Sequence, residues 1–133
     1  MRPKRIMLIE DDVNLCQSLK LILQRAGYFV TSTDCVTTAI NIIQNGNYYL
    51  VIADINMPET SNLLLPRVLG SYPHLSIVIL TDQSASEIEK DDMLLSARYL
   101  NKPIAPERLI DCVGTLIGKN NHINHPNHYY VSK

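Results

Sequence analysis

The sequence lacks the features that would mark a nucleic-acid-binding, membrane or secreted protein. It has no basic excess, because 12 Lys and Arg stand against 13 Asp and Glu and the formal net charge is -1, which argues against direct binding to nucleic acid. No apolar stretch approaches the roughly 18 to 20 residues of a membrane span. The apolar run after the basic N-terminus is only four residues long and meets three acids, which is too short for a signal peptide.

Cysteine is also scarce, with three residues that lie far apart in the sequence: Cys16, Cys35 and Cys112. We expect them to be small reduced residues of a core rather than disulfide or metal ligands, and we expect a cytoplasmic protein. The composition that remains, with 46% hydrophobic and 19% charged residues, is that of a soluble globular chain. A length of 133 residues suits one domain with a single core.

Short apolar runs alternate with helical patterns five times along the chain. The strand-like runs cover residues 6–9, 28–33, 50–53, 76–80 and 98–100. The helical patterns follow Asp12 as far as Gly27, then cover residues 36–44, 63–69, 84–95 and 106–118, with Gly118 as the expected end of the last. This order predicts an α/β fold of three layers, in which a parallel sheet carries helices on both faces. We place the domain at residues 1–119 and a polar tail or linker at residues 120–133.

Polar side chains of different chemistry follow the ends of four predicted strands. Asp11 and Asp12 come after the first strand, Asp54 after the third, Thr81 after the fourth and Lys102 after the fifth. In an open α/β sheet, ligands bind outside the carboxyl ends of the strands. Two carboxylates about 4 Å apart repel by about 4 kcal/mol at an effective dielectric constant near 20. A cation between them would relieve this repulsion, and a set of oxygen ligands favours Mg²⁺ or Mn²⁺. Such an ion and an ammonium group, beside a carboxylate and a hydroxyl, would bind a phosphoryl group.

These motifs resemble the receiver domain of bacterial two-component response regulators. The resemblance rests on the acid pair Asp11-Asp12, on residues 54–58, which read Asp-Ile-Asn-Met-Pro, on Thr81, and on residues 99–103, which read Tyr-Leu-Asn-Lys-Pro. It extends from residue 4 to about residue 119. It implies a doubly wound (βα)5, flavodoxin-like fold with a five-stranded parallel sheet in the order 2-1-3-4-5.

The resemblance also implies a role for each site residue. Asp54 would accept a phosphoryl group from the phosphohistidine of a sensor histidine kinase or a histidine phosphotransfer protein. Asp12, Asp54 and the backbone carbonyl of Asn56 would bind Mg²⁺ directly, and Asp11 would bind it through water. Lys102 would pair with Asp54 or with its phosphate.

A second set of residues would report the phosphorylation. Thr81 would hydrogen-bond a phosphoryl oxygen, and Tyr99 would turn into the space that Thr81 vacates. The shift would alter a surface made by the fourth helix, the fifth strand and the fifth helix. Lys102-Pro103 would be a cis peptide bond, and the side chains of Asn56 and Gln83 would tune the rate at which the phosphoryl group is hydrolysed.

The implied partners follow from this signalling role. The protein would be a phosphoprotein that catalyses only its own phosphotransfer and slow autodephosphorylation and turns over no metabolite. The resemblance allows for a homodimer, and for an effector domain, for instance a DNA-binding one, in a longer parent chain. We expect this domain itself to contact neither a membrane nor nucleic acid.

Among the departures from the family pattern, two lie close to the site residues. Ser61-Asn62 stands where the family usually has Asp-Gly or Asn-Gly, and Asn62 tolerates the left-handed backbone conformation that such a turn uses. Asp82 follows Thr81 at a position where a small residue is usual. We hypothesise that its carboxylate narrows or repels the approach of small phosphoryl donors.

Two other interpretations stay open from the sequence. One is a phosphatase of the haloacid-dehalogenase type, which would require a second acid two residues after the nucleophile, where this chain has Asn56. The other is a degenerate receiver that binds partners without ever carrying a phosphoryl group. The presence of the acid pair, Asp54, Thr81 and Lys102 argues against the second interpretation.

Overall fold

The structure, a computed structural model, describes residues 4–82 and 97–123, with side chains described as far as residue 118. Its sheet consists of five parallel strands in the order β2-β1-β3-β4-β5, which confirms the predicted α/β fold and strand order. The strands are β1 (Arg5–Ile9), β2 (Phe29–Thr33), β3 (Leu50–Asp54), β4 (Ser76–Thr81) and β5 (Arg98–Asn101). The predicted helix over residues 84–95 and most of the predicted tail lie outside the described residues.

Helices cover both faces of the sheet, as the apolar runs predicted. The helices are α1 (Val13–Arg25), α2 (Val36–Gln44), α3 (Leu65–Ser71) and the C-terminal helix (Pro106–Ile123). Along β1, Ile6 and Leu8 pack with α1 and the C-terminal helix, whereas Met7 and Ile9 pack with α2 and α3. Side chains alternate across a strand, so a strand covered on both faces must be apolar throughout. This buried sheet rigidly supports the residues at the carboxyl ends of its strands.

The first helix begins and ends where its capping residues predict. The side chain of Asp12 accepts a hydrogen bond from the backbone N–H of Leu15 at 3.1 Å, which satisfies one of the free donors in the first turn. At the other end, Gly27 has φ = 102° and leads the chain out of the helix towards β2.

The segment between β3 and α3 differs from the prediction. Residues Thr60–Leu64 form one π-helical turn that continues into α3, where Pro66 lies in the first turn. The residue in the left-handed conformation is Glu59, with φ = 74°, so the expectation that Asn62 would occupy that conformation is wrong. The backbone N–H groups of Leu63 and Leu64 both donate to the carbonyl of Glu59, at 3.0 and 2.9 Å, which holds the turn in place.

The C-terminal helix continues to Ile123, so the prediction that it ends at Gly118 is wrong. A glycine inside a helix costs only about 1 kcal/mol, and each further residue adds one backbone hydrogen bond. The apolar side of this helix, with Leu109 and Val113 fully buried, packs against the sheet. Within the described residues, no helix combines the length and the apolar character needed to cross a membrane.

Candidate phosphoryl-acceptor site

The register of the sheet brings Glu10 and Asp54 together. Ile9 of β1 lies opposite Ala53 of β3, and the next residue of each chain segment is an acid. The backbone N–H of Glu10 donates to the carbonyl of Thr33 at 3.1 Å, which extends the pairing with β2 by one residue. Both acids are buried, with 2% of Glu10 and 4% of Asp54 exposed. Their carboxylates therefore start from fixed backbone positions.

Asp54 is held by hydrogen bonds at both side-chain oxygens. Its Oδ1 accepts from the backbone N–H of Asn56 at 2.8 Å, and its Oδ2 accepts from Nζ of Lys102 at 2.8 Å. Its backbone carbonyl accepts from Oγ1 of Thr60 at 2.8 Å, and this hydrogen bond is buried. The π-helical turn thus helps to fix the acceptor, because Thr60 is its first residue.

Lys102 reaches both buried acids from the end of β5. Its Nζ lies 2.8 Å from Oδ2 of Asp54 and 3.4 Å from Oε1 of Glu10, and 19% of its side chain is exposed. Its backbone N–H donates to the carbonyl of Thr81 at 2.8 Å, which continues the pairing of β4 with β5. The following peptide bond, Lys102-Pro103, is cis, as the resemblance implied.

The three consecutive acids after β1 take three different positions. Glu10 points into the site, and its Oε2 accepts from the backbone N–H of Asp12 at 3.0 Å. Asp11 is exposed and contributes a ligand oxygen to a cluster with Glu10 and Asp54, in which the ligand atoms all lie within 4.8 Å of one another. Asp12 is outside this cluster, because its carboxylate turns back to cap α1. The structure therefore puts Glu10 where we predicted Asp12.

Burial and the neighbouring charges shift the pKa values of Glu10 and Lys102. Burial raises the pKa of Glu10 above the ordinary value of 4.5, and the charge of Asp54 raises it further, while the N–H of Asp12 and the ammonium of Lys102 act against the shift. For Lys102, burial alone would lower the pKa, but its hydrogen bond to Asp54 and the charges of both acids outweigh burial and leave the pKa raised. Lys102 is accordingly a stable cation at neutral pH.

The donor set fits a hard divalent cation. The cluster offers only oxygen ligands, and the buried Oε1 of Glu10 has the ammonium of Lys102 at 3.4 Å but no hydrogen-bond partner among the described residues. Buried polar atoms are nearly always satisfied, so this oxygen is available to a ligand. Three carboxylates beside one ammonium also leave two negative charges, which one divalent cation would balance. Mg²⁺ suits such a small set of carboxylates because it keeps several of its waters.

The other predicted site residues lie around this centre. Thr81 is fully buried at the end of β4, and Tyr99 is half-buried against the core on the α2 and α3 face. A cavity of about 420 Å³ is lined both by Lys102 and by Tyr99. Asn56 and Asp82 are exposed, and Nδ2 of Asn56 donates to Oδ2 of Asp82 at 3.5 Å.

Gln83, which we predicted to tune hydrolysis, lies outside the described residues. Glu10 is the site residue that the sequence interpretation missed. The signal was present, because Glu10 is the first polar residue after an apolar strand, as Asp54 and Thr81 are after theirs. Choosing the first polar residue at each strand end would have selected Glu10 as a site residue. We instead took the two adjacent aspartates as the acid pair, and this selected Asp12.

The sequence model described as "Response regulator receiver domain" matches residues 6–114. This match covers all five strands of the sheet and the site at its edge. The chain belongs to the response regulator receiver domain family. The resemblance given above is thereby confirmed, and the chain is a domain of two-component signalling.

Curated relatives agree with this assignment of the receiver domain. This chain is 34% identical over 110 residues to the response regulator receiver protein CpdR of Brucella abortus (strain 2308). The match covers 81% of this chain and 92% of that protein. It is 31% identical over 125 residues to the transcriptional regulatory protein BasR of Escherichia coli (strain K12), covering 88% of this chain and 54% of BasR. It spans only 24% of the response regulator protein FleR of Pseudomonas aeruginosa, at 31% identity.

Solved structures agree on the fold. A CheY-like response regulator receiver domain protein from Methanospirillum hungatei JF-1 matches with a TM-score of 0.80 and 25% identity, covering 90% of this chain and 98% of that one. The signal receiver domain of a LuxO repressor protein from Vibrio parahaemolyticus matches with a TM-score of 0.84 at 20% identity, covering 95% of this chain and 98% of that one. The second likeness bears on the fold alone.

Proposed function

We propose that the receiver domain accepts a phosphoryl group on Asp54 from the phosphohistidine of a sensor histidine kinase or histidine phosphotransfer protein. The observation that carries the proposal is the way Asp54 is held, with the N–H of Asn56 on one carboxylate oxygen and the ammonium of Lys102 on the other. A carboxylate oxygen of Asp54 would attack phosphorus, the bond from phosphorus to the imidazole nitrogen would break, and the imidazole would leave with the electron pair.

Phosphoryl transfer needs positioning and charge neutralisation more than covalent help from the protein. Lys102 supplies a positive charge next to the acceptor oxygen. We assign Glu10, Asp11 and Asp54 as the side chains that would hold Mg²⁺, together with the backbone carbonyl of Asn56. Mg²⁺ would neutralise charge on the phosphoryl oxygens. We assign Asp12 to capping α1, since its carboxylate is already engaged there.

The product is an acyl phosphate. Water can hydrolyse it by attacking phosphorus, with the carboxylate of Asp54 as the leaving group. We propose that Asn56 influences the rate of this step; its backbone N–H donates to Asp54 and its side chain is exposed, which supports the proposal. The protein would thus carry out its own phosphorylation and slow dephosphorylation and would convert no metabolite.

The output would be a shift of the surface beside β5. Thr81 is buried next to the site, and the cavity that runs from Lys102 to Tyr99 would give the tyrosine room to turn. We propose Thr81 and Tyr99 as the switch residues. A homodimer through this surface and an effector domain in a longer parent chain are the partners that the family predicts, and the cytoplasm is the compartment in which a kinase would meet the domain.

The test is phosphorylation by acetyl phosphate with Mg²⁺, read by intact mass. We expect the wild type to gain one phosphoryl group and Asp54→Asn to gain none, while Asp34→Asn, which removes an exposed acid outside the cluster, behaves as the wild type. A wild type that neither acetyl phosphate nor the less anionic donor phosphoramidate modifies, or an undiminished gain in Asp54→Asn, would refute the proposal. Steady turnover of a generic phosphate ester would instead favour the phosphatase interpretation.

A further inference from the structure

Asp82 places a fourth carboxylate at the mouth of the site. It directly follows Thr81, and its Oδ2 accepts from Nδ2 of Asn56 at 3.5 Å. The backbone N–H of Asn56 in turn donates to the acceptor carboxylate of Asp54 at 2.8 Å. Asp82 and Asn56 are both exposed, so this contact lies on the solvent side of Asp54, where a phosphoryl donor must approach.

Asp82 adds a negative charge outside the part of the site that Lys102 and a divalent cation would neutralise. The cluster of Glu10, Asp11 and Asp54 carries three negative charges and Lys102 one positive charge. A divalent cation would neutralise the two negative charges that remain. Asp82 then adds one negative charge on the path of the donor, and no described salt bridge involves it.

We propose that Asp82 selects phosphoryl donors by charge, disfavouring small donors that are strongly anionic. The inference rests on the proposed function of Asp54 and deepens it. With acetyl phosphate, an oxygen of Asp54 attacks phosphorus, the bond from phosphorus to the acetate oxygen breaks, and acetate leaves with the electron pair. The donor must bring its negatively charged oxygens past the carboxylate of Asp82, and repulsion there slows its approach.

A donor with less negative charge meets less of this barrier. Phosphoramidate carries about one negative charge fewer than acetyl phosphate near neutral pH and transfers the same phosphoryl group. A protein phosphohistidine presents its phosphoryl group on a surface that can carry compensating positive charge. Asp82 would therefore favour a cognate protein donor over small anionic metabolites, without a contact to the leaving group.

The test compares two small donors at several salt concentrations. Initial rates of phosphorylation are measured by intact mass at saturating Mg²⁺, with acetyl phosphate and with phosphoramidate, for the wild type, Asp82→Asn and Asp111→Asn. Asp82→Asn keeps the size and a hydrogen-bonding oxygen but removes the charge. Asp111→Asn removes the same charge from an exposed position on the C-terminal helix and serves as the matched control.

We expect Asp82→Asn to raise the rate with acetyl phosphate by about threefold to tenfold at low salt, and the rate with phosphoramidate by less. Added salt screens exposed charges over about 8 to 10 Å, so it should speed the wild type with acetyl phosphate and affect Asp82→Asn less. Asp111→Asn should match the wild type with both donors.

Three results would overturn the inference. The first is an unchanged rate in Asp82→Asn. The second is an equal increase for both donors, which would show that the effect of Asp82 does not depend on the charge of the donor. The third is a much larger increase in Asp82→Ala, measured in the same way, than in Asp82→Asn, which would assign most of the effect to the size of the side chain and its contact with Asn56. In each case a phosphorylated wild type would leave the function of Asp54 intact, whereas a wild type that no donor phosphorylates would overturn both proposals.

Discussion

The acids at the carboxyl edge of the sheet fall into an inner and an outer group. The inner group consists of Glu10 and Asp54, which are buried and share the ammonium of one lysine. The outer group consists of Asp11, Asp12 and Asp82, which are exposed. The backbone of both inner acids takes part in the pairing of the sheet, because Asp54 lies opposite Leu80 and the N–H of Glu10 donates to the carbonyl of Thr33. The outer acids lie beyond the last pairing of their strands.

The two groups differ in how their charges are stabilised. A buried carboxylate loses its hydration and depends on a partner inside the protein, so each inner charge is coupled to the others and to the stability of the fold. An outer carboxylate keeps its water and can be removed alone. We therefore expect substitutions of inner residues to change stability and phosphorylation together, and substitutions of outer residues to change only one of the two.

The largest effect should follow the loss of the lysine that links the inner acids. In Lys102→Met we expect phosphorylation by acetyl phosphate to slow about 100-fold, the size of the loss when one preorganised stabilising group is removed. The free energy of unfolding should fall by about 1 to 3 kcal/mol, because Glu10 and Asp54 lose their shared cation. Intact mass and urea denaturation measure the two quantities.

Lys20→Met is the control for this variant, since Lys20 contacts Ser32 at 3.5 Å and forms no salt bridge with the acids of the cluster among the described residues. It should leave both quantities close to those of the wild type. A Lys102→Met protein that is phosphorylated at the wild-type rate would contradict the coupling of the inner group.

A smaller effect should appear in the pH dependence of stability without metal. The pKa of Glu10 is raised in the folded protein, chiefly by burial and also by Asp54. The folded state therefore holds this proton more tightly than the unfolded state, and its contribution to stability is complete below the ordinary pKa of 4.5. That contribution is lost as the pH rises through the raised pKa. Relative to Glu10→Gln, the wild type should lose stability over this range.

Urea denaturation in the presence of EDTA, from pH 4 to pH 8, measures the difference between the two proteins. Added Mg²⁺ should reverse the order at neutral pH, because the wild type gains more from binding the ion and Glu10→Gln binds it about tenfold more weakly. A constant difference across the pH range would show that the pKa of Glu10 is not raised in the folded protein. Asp34→Asn provides the matched loss of an exposed carboxylate.

The sequence was sufficient to predict the sheet, and of the two inner acids it predicted Asp54 but not Glu10. Strand-like runs of three to six residues that alternate with helices leave few topologies, and a residue at the end of a buried strand has little freedom. Asp54 and Lys102 were predicted for that reason. The same rule points to Glu10, but the resemblance led us to choose Asp12, because two adjacent aspartates match the family pattern as well as the Glu-Asp pair does.

Other features depend on contacts that no local pattern reveals. The left-handed conformation of Glu59 arises where the chain must close a π-helical turn between β3 and α3, and Thr60 gains a buried hydrogen bond to Asp54 there. Such a conformation is unfavourable for a residue other than glycine, so propensity would have put it at Asn62. The passage of the C-terminal helix through Gly118 is similar, since packing and continued backbone hydrogen bonding outweigh a weak local preference.

The smallest effect should separate two adjacent outer acids. Asp12→Ala removes the side-chain cap of α1, so the free energy of unfolding should fall by about 1 kcal/mol, while Mg²⁺-dependent phosphorylation of Asp54 stays within about twofold of the wild type. Asp12→Ser should restore the stability, because serine also accepts a hydrogen bond at this position. Asp11→Ala should do the opposite and slow phosphorylation with little loss of stability, since its carboxylate belongs to the metal cluster and caps nothing. If Asp12→Ala instead weakened Mg²⁺ binding and left the stability unchanged, Asp12 would be a metal ligand rather than the cap of α1. The division of the acids into an inner and an outer group would then be wrong for Asp12.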